Sequence, residues 1–190
     1  YNPPHAFEDD MIKGPFKSWH HVHAFEANGD GTCRVEDTVN FSVPLGGLGM
    51  LVAGRSINKR IDRMFTARGN RLSRDIARHK EFKHLERKKI LVAGSSGLIG
   101  RQIVAFLDTG GHEVWRLVRR TPKGGTQEIQ WDPKAGTIDA SALEGFDAVI
   151  HLGGAGIGDK RWSKKRMELI QTSRSDSTAL LATTLANLEK

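Results

Sequence analysis

The segment VAGSSGLIGR, residues 92–101, decides the fold because it joins an apolar run to a helical pattern through regularly spaced glycines. The run 90–93 is short and entirely apolar, which predicts a strand buried on both faces of a parallel sheet. Gly94, Gly97 and Gly100 follow at three-residue spacing, and apolar residues then recur at helical intervals. A strand, a glycine-rich turn and a helix in this order predict a dinucleotide-binding βαβ unit.

Each of the three glycines has a predicted role. Gly94 permits the tight turn from strand to helix, Gly97 lets the backbone approach a pyrophosphate, and Gly100 lets the helix pack closely on the strand. The free N–H groups at the start of the helix then face the anion, aided by the helix dipole. A turn that needs its glycines only for packing is the alternative. The predicted pyrophosphate loop comprises Gly94, Ser95, Ser96, Gly97, Leu98, Ile99 and Gly100.

The rest of the second half continues the alternation of strands and helices. Further strands are predicted at 113–119, 128–131 and 147–152, and a last helix from about Ser163. Strands that alternate with helices favour a parallel sheet with helices on its faces. The predicted fold class is therefore α/β, with residues 88–190 forming the N-terminal half of a Rossmann-like sheet.

The end of the second strand of this unit selects the dinucleotide. An NAD site usually places an acidic residue there to bind the ribose 2′-hydroxyl. This chain instead has Arg119 and Arg120, and arginines bind a phosphate through charge-assisted hydrogen bonds. We predict NADP rather than NAD, with Arg119 on the 2′-phosphate and Arg120 stacked on the adenine or facing water. At about 1.5–3 kcal/mol per charged hydrogen bond, one arginine favours NADP by roughly 10- to 100-fold.

The loop after the strand DAVIHL, 147–152, is the second predicted part of the site. Ligands of doubly wound sheets bind outside the carboxyl ends of the strands. Leu152, Gly153, Gly154 and Ala155 are therefore expected to border the nicotinamide-side ribose. His151, at the end of the strand, is predicted to be a packing histidine.

The first half of the chain has a different pattern. Extended runs at 18–27 and 32–43 flank the turn sequence NGDG, which predicts a β-hairpin. A helix over about 50–79 has one apolar face and one basic face. The change of pattern predicts two domains, 1–80 and 88–190, joined by a polar linker, 81–87.

Four stretches of the second half resemble an atypical extended short-chain dehydrogenase/reductase family. They are KILVAGSSGLIGRQIVAFL, HEVWRLVRR, IQWDP and DAVIHLGGAGIGDKRWSKKRMELIQTSRSDST. Members are NAD(P)-dependent epimerase/dehydratase-like oxidoreductases, some labelled cell-division inhibitors. Arg161–Trp162 and Ser173–Arg174 are the pairs most specific to the family. The resemblance covers about 88–188, the first half of such a domain, and implies the NADP-binding part of an oxidoreductase or epimerase.

The front of the chain resembles the end of a START-like (SRPBCC, Bet v 1-like) domain, an α+β helix-grip fold. The matching residues are GPFKSWHHVHAFEANGDGTCRVEDTVNFSVPLGGLG and the long basic helix after them. This resemblance implies a module that binds a hydrophobic small molecule, fused ahead of the dehydrogenase-like domain. The chain is thus expected to be a fragment that spans the junction of the two domains.

The short-chain dehydrogenase resemblance also implies a Tyr-x-x-x-Lys pair, in which the lysine lowers the pKa of the tyrosine for proton transfer. Tyr1 is the only tyrosine, and it lies in the other predicted domain. We therefore expect these 190 residues alone to be inactive. The sequence leaves the catalytic residues, the substrate and the oligomeric state open.

A metal site and an internal disulfide are not expected. Cys33 is the only cysteine, so a reducing, cytoplasmic compartment is predicted, with Cys33 as a small buried residue. His20, His21 and His23 cluster on one strand, but a zinc site needs a further ligand and supporting carboxylates that the spacing does not supply. Histidines near solvent, and no metal site, are the prediction.

Two other functions remain alternatives. A non-catalytic module could use the dinucleotide as a structural ligand or redox signal. The net charge of +7 and the basic helix 55–78 suit nucleic acid, but acidic residues are mixed into that helix, so nucleic acid is disfavoured. No run approaches the roughly 20 apolar residues of a membrane span.

Overall fold

The structure, a computed structural model, describes residues 5–189, so Tyr1 and Lys190 lie outside the described residues. The chain divides into two compact units, the first ending at Ser73 and the second beginning at Arg74. This division lies inside one long helix.

The first unit contains an antiparallel sheet and most of the long helix. Its elements are β1 (Ala6–Asp10), β2 (Ser18–Ala27), β3 (Cys33–Ser42) and α1 (Gly46–Glu81). The strand order is β1-β2-β3. Ser18 lies opposite Ser42 and Ala27 opposite Cys33, which confirms the predicted hairpin.

Helix α1 starts at Gly46, earlier than the sequence predicts, and covers less of the sheet than its apolar pattern suggests. Phe65 contacts His21 of β2, with ring centroids 5.3 Å apart. Leu72 and Ile76 continue the same apolar stripe but are exposed. Amphipathic spacing therefore identifies the helix correctly, whereas the extent of its packing depends on how far the sheet reaches.

The predicted burial of Cys33 is wrong, because this residue is exposed. It is the first residue of β3, directly after the hairpin turn, and residues 31–36 are all exposed. The alternation of apolar and charged residues along a strand indicates which face a side chain is on. It does not show whether anything covers that end of the sheet.

The second unit is a Rossmann-like α/β sheet, as predicted. Its elements are β4 (Lys89–Ala93), α2 (Leu98–Thr109), β5 (Glu113–Val118), β6 (Glu128–Asp132), β7 (Thr137–Ile138), β8 (Ala148–His151) and α3 (Lys164–Ala186). The strand order is β7-β6-β5-β4-β8. The pairs β4–β5, β5–β6 and β4–β8 are parallel, and β7 is antiparallel to β6. The two-residue strand β7 and a short 3₁₀ helix, Ser141–Leu143, were not predicted.

The core of this unit lies on both faces of β4, which explains the apolar run that predicts the strand. On one face, Leu91 and Ala93 pack in a cluster that includes Leu181 of α3. On the other face, Ile90 and Val92 pack with Val104 of α2. Because a helix covers each face, residues 90–93 of β4 are all buried and do not alternate toward solvent.

The second unit begins before the predicted linker because the end of α1 packs against α2. His79 stacks on Phe106 with ring centroids 4.4 Å apart. Its Nε2 also lies 3.2 Å from the hydroxyl oxygen of Thr109. Residues 82–88 then form neither helix nor strand.

Within residues 5–189, no helix is both long enough and apolar enough to cross a membrane.

Candidate functional site

The candidate site lies at the carboxyl ends of β4 and β8, where the order of the strands reverses. β4 is followed by α2 on one face of the sheet, and β8 is followed by α3 on the other. Such a switch point opens a crevice between the two connecting loops. Here the loops meet directly, since the N–H of Leu152 donates to the carbonyl of Ala93 over 2.9 Å.

Gly94 occupies a position that no other residue tolerates well. Its φ angle is +78°, in the left-handed region. A Cβ at this position would lie 2.6 Å from the carbonyl carbon of Leu152 and 2.8 Å from the nitrogen of Gly153. Glycine is therefore required in this tight turn for two reasons, the left-handed backbone conformation and the close approach of the loop after β8.

The other two glycines of the loop differ from each other. A Cβ on Gly100 would lie 2.8 Å from the Cα of Ser95, so close packing of α2 on the loop requires this glycine. A Cβ on Gly97 would meet a single neighbour, the carbonyl oxygen of Gly94, at 3.3 Å. The protein's own packing therefore leaves one side of Gly97 open, as a ligand that approaches the backbone requires.

The N-terminus of α2 is open to an anion. Gly97 caps the helix without a side-chain hydrogen bond, and the first turn of the helix carries no acidic residue. The first helical hydrogen bond runs from the N–H of Arg101 to the carbonyl of Gly97, over 3.0 Å. The N–H groups before it, together with the helix dipole, can stabilise a negative charge.

Apolar side chains border this N-terminus at the surface. Leu98 is 77% exposed and Ile99 is 63% exposed, although both belong to an otherwise amphipathic helix. Ser95 is buried and Ser96 is exposed. Exposed apolar residues beside an open helix N-terminus are typical of a site that a partly apolar ligand covers.

The two adjacent arginines after β5 have different surroundings. Arg119 is exposed immediately beyond the end of the strand. Arg120 instead donates hydrogen bonds to both carboxylate oxygens of Glu128, one over 2.9 Å. Those hydrogen bonds, together with one from the N–H of Lys123, lower the pKa of Glu128 to about 2. Arg120 is thus engaged by Glu128 within the protein itself.

The loop after β8 is held in place by α3. The N–H of Ala155 donates to the hydroxyl of Ser173 over 2.9 Å, and Arg174 donates to the carbonyl of Ala155 over 3.2 Å. Gly154 has a φ of +147°, in the positive region that favours glycine. Ser173 and Arg174, singled out by the family resemblance alone, therefore position the loop that carries Gly153, Gly154 and Ala155.

His151 packs at the end of β8, as predicted. Its Nδ1 lies 3.3 Å from the N–H of Gly153, and its Nε2 lies 2.8 Å from the hydroxyl oxygen of Ser177. The Ser177 hydroxyl donates in turn to the carbonyl of Ser173, so the neutral ring carries its proton on Nε2. Burial lowers the pKa of His151, which favours this neutral form.

Sequence reasoning missed Arg166, which fixes the far end of the same loop. Arg166 donates to the carbonyl of Gly156, and its guanidinium lies 3.5 Å from the Asp159 carboxylate. Trp162 donates to the carbonyl of Ile157 over 2.9 Å. The sequence could have indicated Arg166 through its position, because it lies in the first turn of α3, three residues after the cap Ser163 and close to the loop. Arg161 is exposed.

The first unit contains a separate cavity of about 420 Å³ between its sheet and α1. Its walls are mainly apolar, and they include Phe16, Trp19, Ile57, Ile61 and Met64, with Arg60 among the remaining lining residues. This volume is in the range of sites for small organic ligands.

The prediction that the strand histidines lie near solvent is wrong for two of them. His21 is 6% exposed and His23 is 3% exposed, whereas His20 is only partly buried. His21 and His23 lie on the face of the sheet that Phe65 of α1 contacts, so the helix removes them from solvent.

Comparison with known proteins identifies the second unit. The model of the NAD dependent epimerase/dehydratase family matches residues 90–188. An epimerase family protein of Mycobacterium leprae is 38% identical over 97 residues, which are 51% of this chain and 31% of that protein. The human epimerase family protein SDR39U1 is 38% identical over 96 residues, or 50% of this chain and 30% of its own length.

A solved structure corresponds to nearly all of the chain. The crystal structure of the nucleoside-diphosphate sugar epimerase from Corynebacterium glutamicum matches 98% of this chain and 37% of its own, with a TM-score of 0.66 and 30% identity. The chain spans about a third of the length of the curated relatives described above.

Proposed function

Because this chain belongs to the NAD dependent epimerase/dehydratase family, we propose that residues 88–190 form the NADP-binding part of an epimerase- or dehydratase-type oxidoreductase of the short-chain dehydrogenase/reductase superfamily. One observation carries the proposal. The N-terminus of α2 has no side-chain cap and opens beside Gly94 at the switch point of a parallel sheet. In this fold class, that position binds the pyrophosphate of a dinucleotide.

The backbone of the loop Gly94–Gly100 would hold the pyrophosphate. The N–H groups at the start of α2 would donate to its oxygens, and the open side of Gly97 supports the close approach that this requires. The exposed side chains of Leu98 and Ile99 would lie against less polar parts of the nucleotide.

Arg119 would select NADP over NAD. The side chain is exposed at the end of β5, the position at which this fold class reads the adenosine ribose. Arg120 is engaged by Glu128, which supports Arg119 as the arginine that meets the 2′-phosphate. A guanidinium recognises phosphate through charge-assisted hydrogen bonds that a 2′-hydroxyl cannot match.

The loop Leu152–Ala155 would border the nicotinamide-side ribose, and Ser173 and Arg174 would keep it rigid. When bound, the nicotinamide supplies hydride chemistry. The residues of this chain would orient the dinucleotide at the sheet edge, and His151 would hold the end of β8 in place. We propose that the 190 residues bind the nucleotide without turning over substrate.

The experiment that tests the proposal compares NADP and NAD binding by titration calorimetry. We expect Arg119→Ala to weaken NADP by roughly 10- to 100-fold, because it removes a charged hydrogen bond to the 2′-phosphate. NAD should change by no more than about twofold. Arg116→Ala is the matched control, since Arg116 lies in β5, the strand that Arg119 follows, but pairs with Asp108. Equal losses for both nucleotides would rule out the role of Arg119.

We further propose that the first unit is the end of a START-like module that binds a hydrophobic small molecule. The antiparallel sheet, the long helix and the apolar cavity of about 420 Å³ between them support this function. The Corynebacterium epimerase also supports the fusion, since its single chain corresponds to 98% of this one.

A further inference from the structure

Two buried histidines face the same side of the sheet in the first unit. His21 and His23 are alternate residues of β2, so their side chains leave the strand on one face. Their ring centroids lie 3.8 Å apart. Buried ring nitrogens need partners, because an unpaired polar group away from water is costly. The neighbouring strands supply carboxylates on both sides of the pair.

Asp9 of β1 completes a three-residue set. It lies opposite His21 in the strand register. Its Oδ2 is 3.0 Å from Nε2 of His23 and 3.6 Å from Nδ1 of His21. The ligand atoms offered by Asp9, His21 and His23 all lie within 4.8 Å of one another. One ion with bonds of about 2.0–2.2 Å holds ligand atoms at most about 4.4 Å apart, so a small inward shift of these side chains lets a single ion bind all three.

Asp37 of β3 contacts the opposite nitrogens of the same two rings. Its Oδ1 lies 2.7 Å from Nδ1 of His23 and 3.2 Å from Nε2 of His21. A carboxylate there accepts the two ring N–H groups and leaves the lone pairs of His21 Nδ1 and His23 Nε2 directed toward Asp9. Carboxylates commonly orient metal-binding histidines in this way.

Arg68 of α1 defines which side of the rings an ion can occupy. Its guanidinium lies 3.5 Å from Oδ1 of Asp37 and 3.2 Å from Nδ1 of His23. A second cation on that side would be repelled. The contact of His23 Nδ1 with Asp37 is shorter than its contact with Arg68, so Nδ1 carries a proton and donates it in a hydrogen bond to the Asp37 carboxylate. The Asp9 side, where the Asp9 side chain is 54% exposed to water, is the side left for a metal ion.

We propose that Asp9, His21 and His23 bind one divalent transition-metal ion, with zinc as the reference ion, and that Asp37 is a positioning residue for both histidines. Two imidazoles and one carboxylate provide three ligands and leave at least one coordination position open to solvent. This site is distinct from the nucleotide site. The proposed ion site lies along β2, in the same unit as the apolar cavity. Trp19, which lines the cavity, is two residues before His21 on that strand.

The test uses the whole chain, stripped of metal with a chelator. Calorimetric titration with zinc should give one ion per chain, and cobalt(II) should give visible absorption bands typical of nitrogen and oxygen ligands. We expect Asp9→Asn to weaken zinc by at least about tenfold and Asp37→Asn to weaken it by roughly 10- to 100-fold. His21→Gln and His23→Gln should each abolish the cobalt bands.

Asp10→Asn is the matched control. Asp10 is the next residue of β1, and its Oδ1 lies 3.0 Å from Nδ1 of the partly exposed His20. This variant should bind zinc as the unchanged chain does, and circular dichroism should show that every variant is folded. Absence of stoichiometric zinc binding at micromolar concentrations would overturn the proposal. Equal effects of Asp9→Asn and Asp10→Asn would do the same, because they would place the ion at His20 or at no fixed site.

Discussion

Three glycines with identical spacing are under different physical constraints. Gly94 has a positive φ and touches the backbone of Leu152, and Gly100 packs against the backbone of Ser95. Gly97 has an ordinary φ of −71° and an open side. The fold therefore needs the first and third glycines, whereas we propose a bound ligand as the reason for the second.

This difference predicts opposite effects of two alanine substitutions. Gly94→Ala should lower the free energy of unfolding by about 2–5 kcal/mol, from the left-handed backbone and the collision with the Leu152 loop. Gly97→Ala should change it by less than about 1 kcal/mol, yet weaken NADP by tenfold or more. Urea denaturation and titration calorimetry measure the two quantities. Normal NADP affinity in Gly97→Ala would show that the open side of Gly97 does not face the nucleotide.

Between elements, an ion pair between exposed Arg120 and partly buried Glu128 ties the end of β5 to the start of β6. Arg120 follows β5, and Glu128 is the first residue of β6. Their hydrogen bonds, with that from the N–H of Lys123, hold the intervening turn against the sheet edge. The site depends on this contact indirectly, since the same turn begins at Arg119.

The lowered pKa of Glu128 predicts how the free energy of unfolding changes with pH. Its folded pKa, about 2, lies below the ordinary value of 4.5 because Arg120 hydrogen-bonds the ionised form. The stabilisation is therefore complete above the unfolded pKa and is lost as the pH falls through the folded pKa. Urea unfolding should show Glu128→Gln less stable than the unchanged chain at pH 7, with the difference shrinking between about pH 4.5 and pH 2. The control is Glu168→Gln, at an exposed position of α3, which should leave the stability at pH 7 within about 0.5 kcal/mol of that of the unchanged chain.

At the scale of the whole molecule, each compact unit contains its own candidate site. The first unit has the apolar cavity and the Asp9–His21–His23 set, and the second has the switch-point crevice. All the residues that line the cavity precede Ser73, and all those proposed to hold the nucleotide follow Arg74.

Separate sites predict that ligand binding can be removed in one unit at a time. Ile61→Glu should abolish binding of the fluorescent probe anilinonaphthalene sulfonate, because a negative charge in the cavity wall disfavours its apolar rings and repels its sulfonate. The same variant should keep its NADP affinity within about twofold. Arg119→Ala should show the reverse behaviour. Fluorescence titration with the probe and calorimetry with NADP provide the readouts, and probe binding that survives Ile61→Glu would argue against the cavity as a ligand site.

The sequence by itself determined the features that arise from neighbours along the chain. The apolar run of β4, the glycine spacing and the helical pattern of α2 predicted the βαβ unit and its loop. The turn NGDG predicted the hairpin of β2 and β3. These features are local, since strand pairing within a hairpin and the turn into a helix depend on residues within a few positions of each other.

The tertiary structure decided which distant residues meet. It paired Arg120 with Glu128, exposed Cys33, and brought Asp9 and Asp37 to opposite sides of two buried histidines. Such contacts depend on strand register and on which face a helix covers, and a register change of one residue reverses every side chain of a strand. Residue types and spacing along one strand do not contain that information, because it arises only when separate strands are aligned side by side.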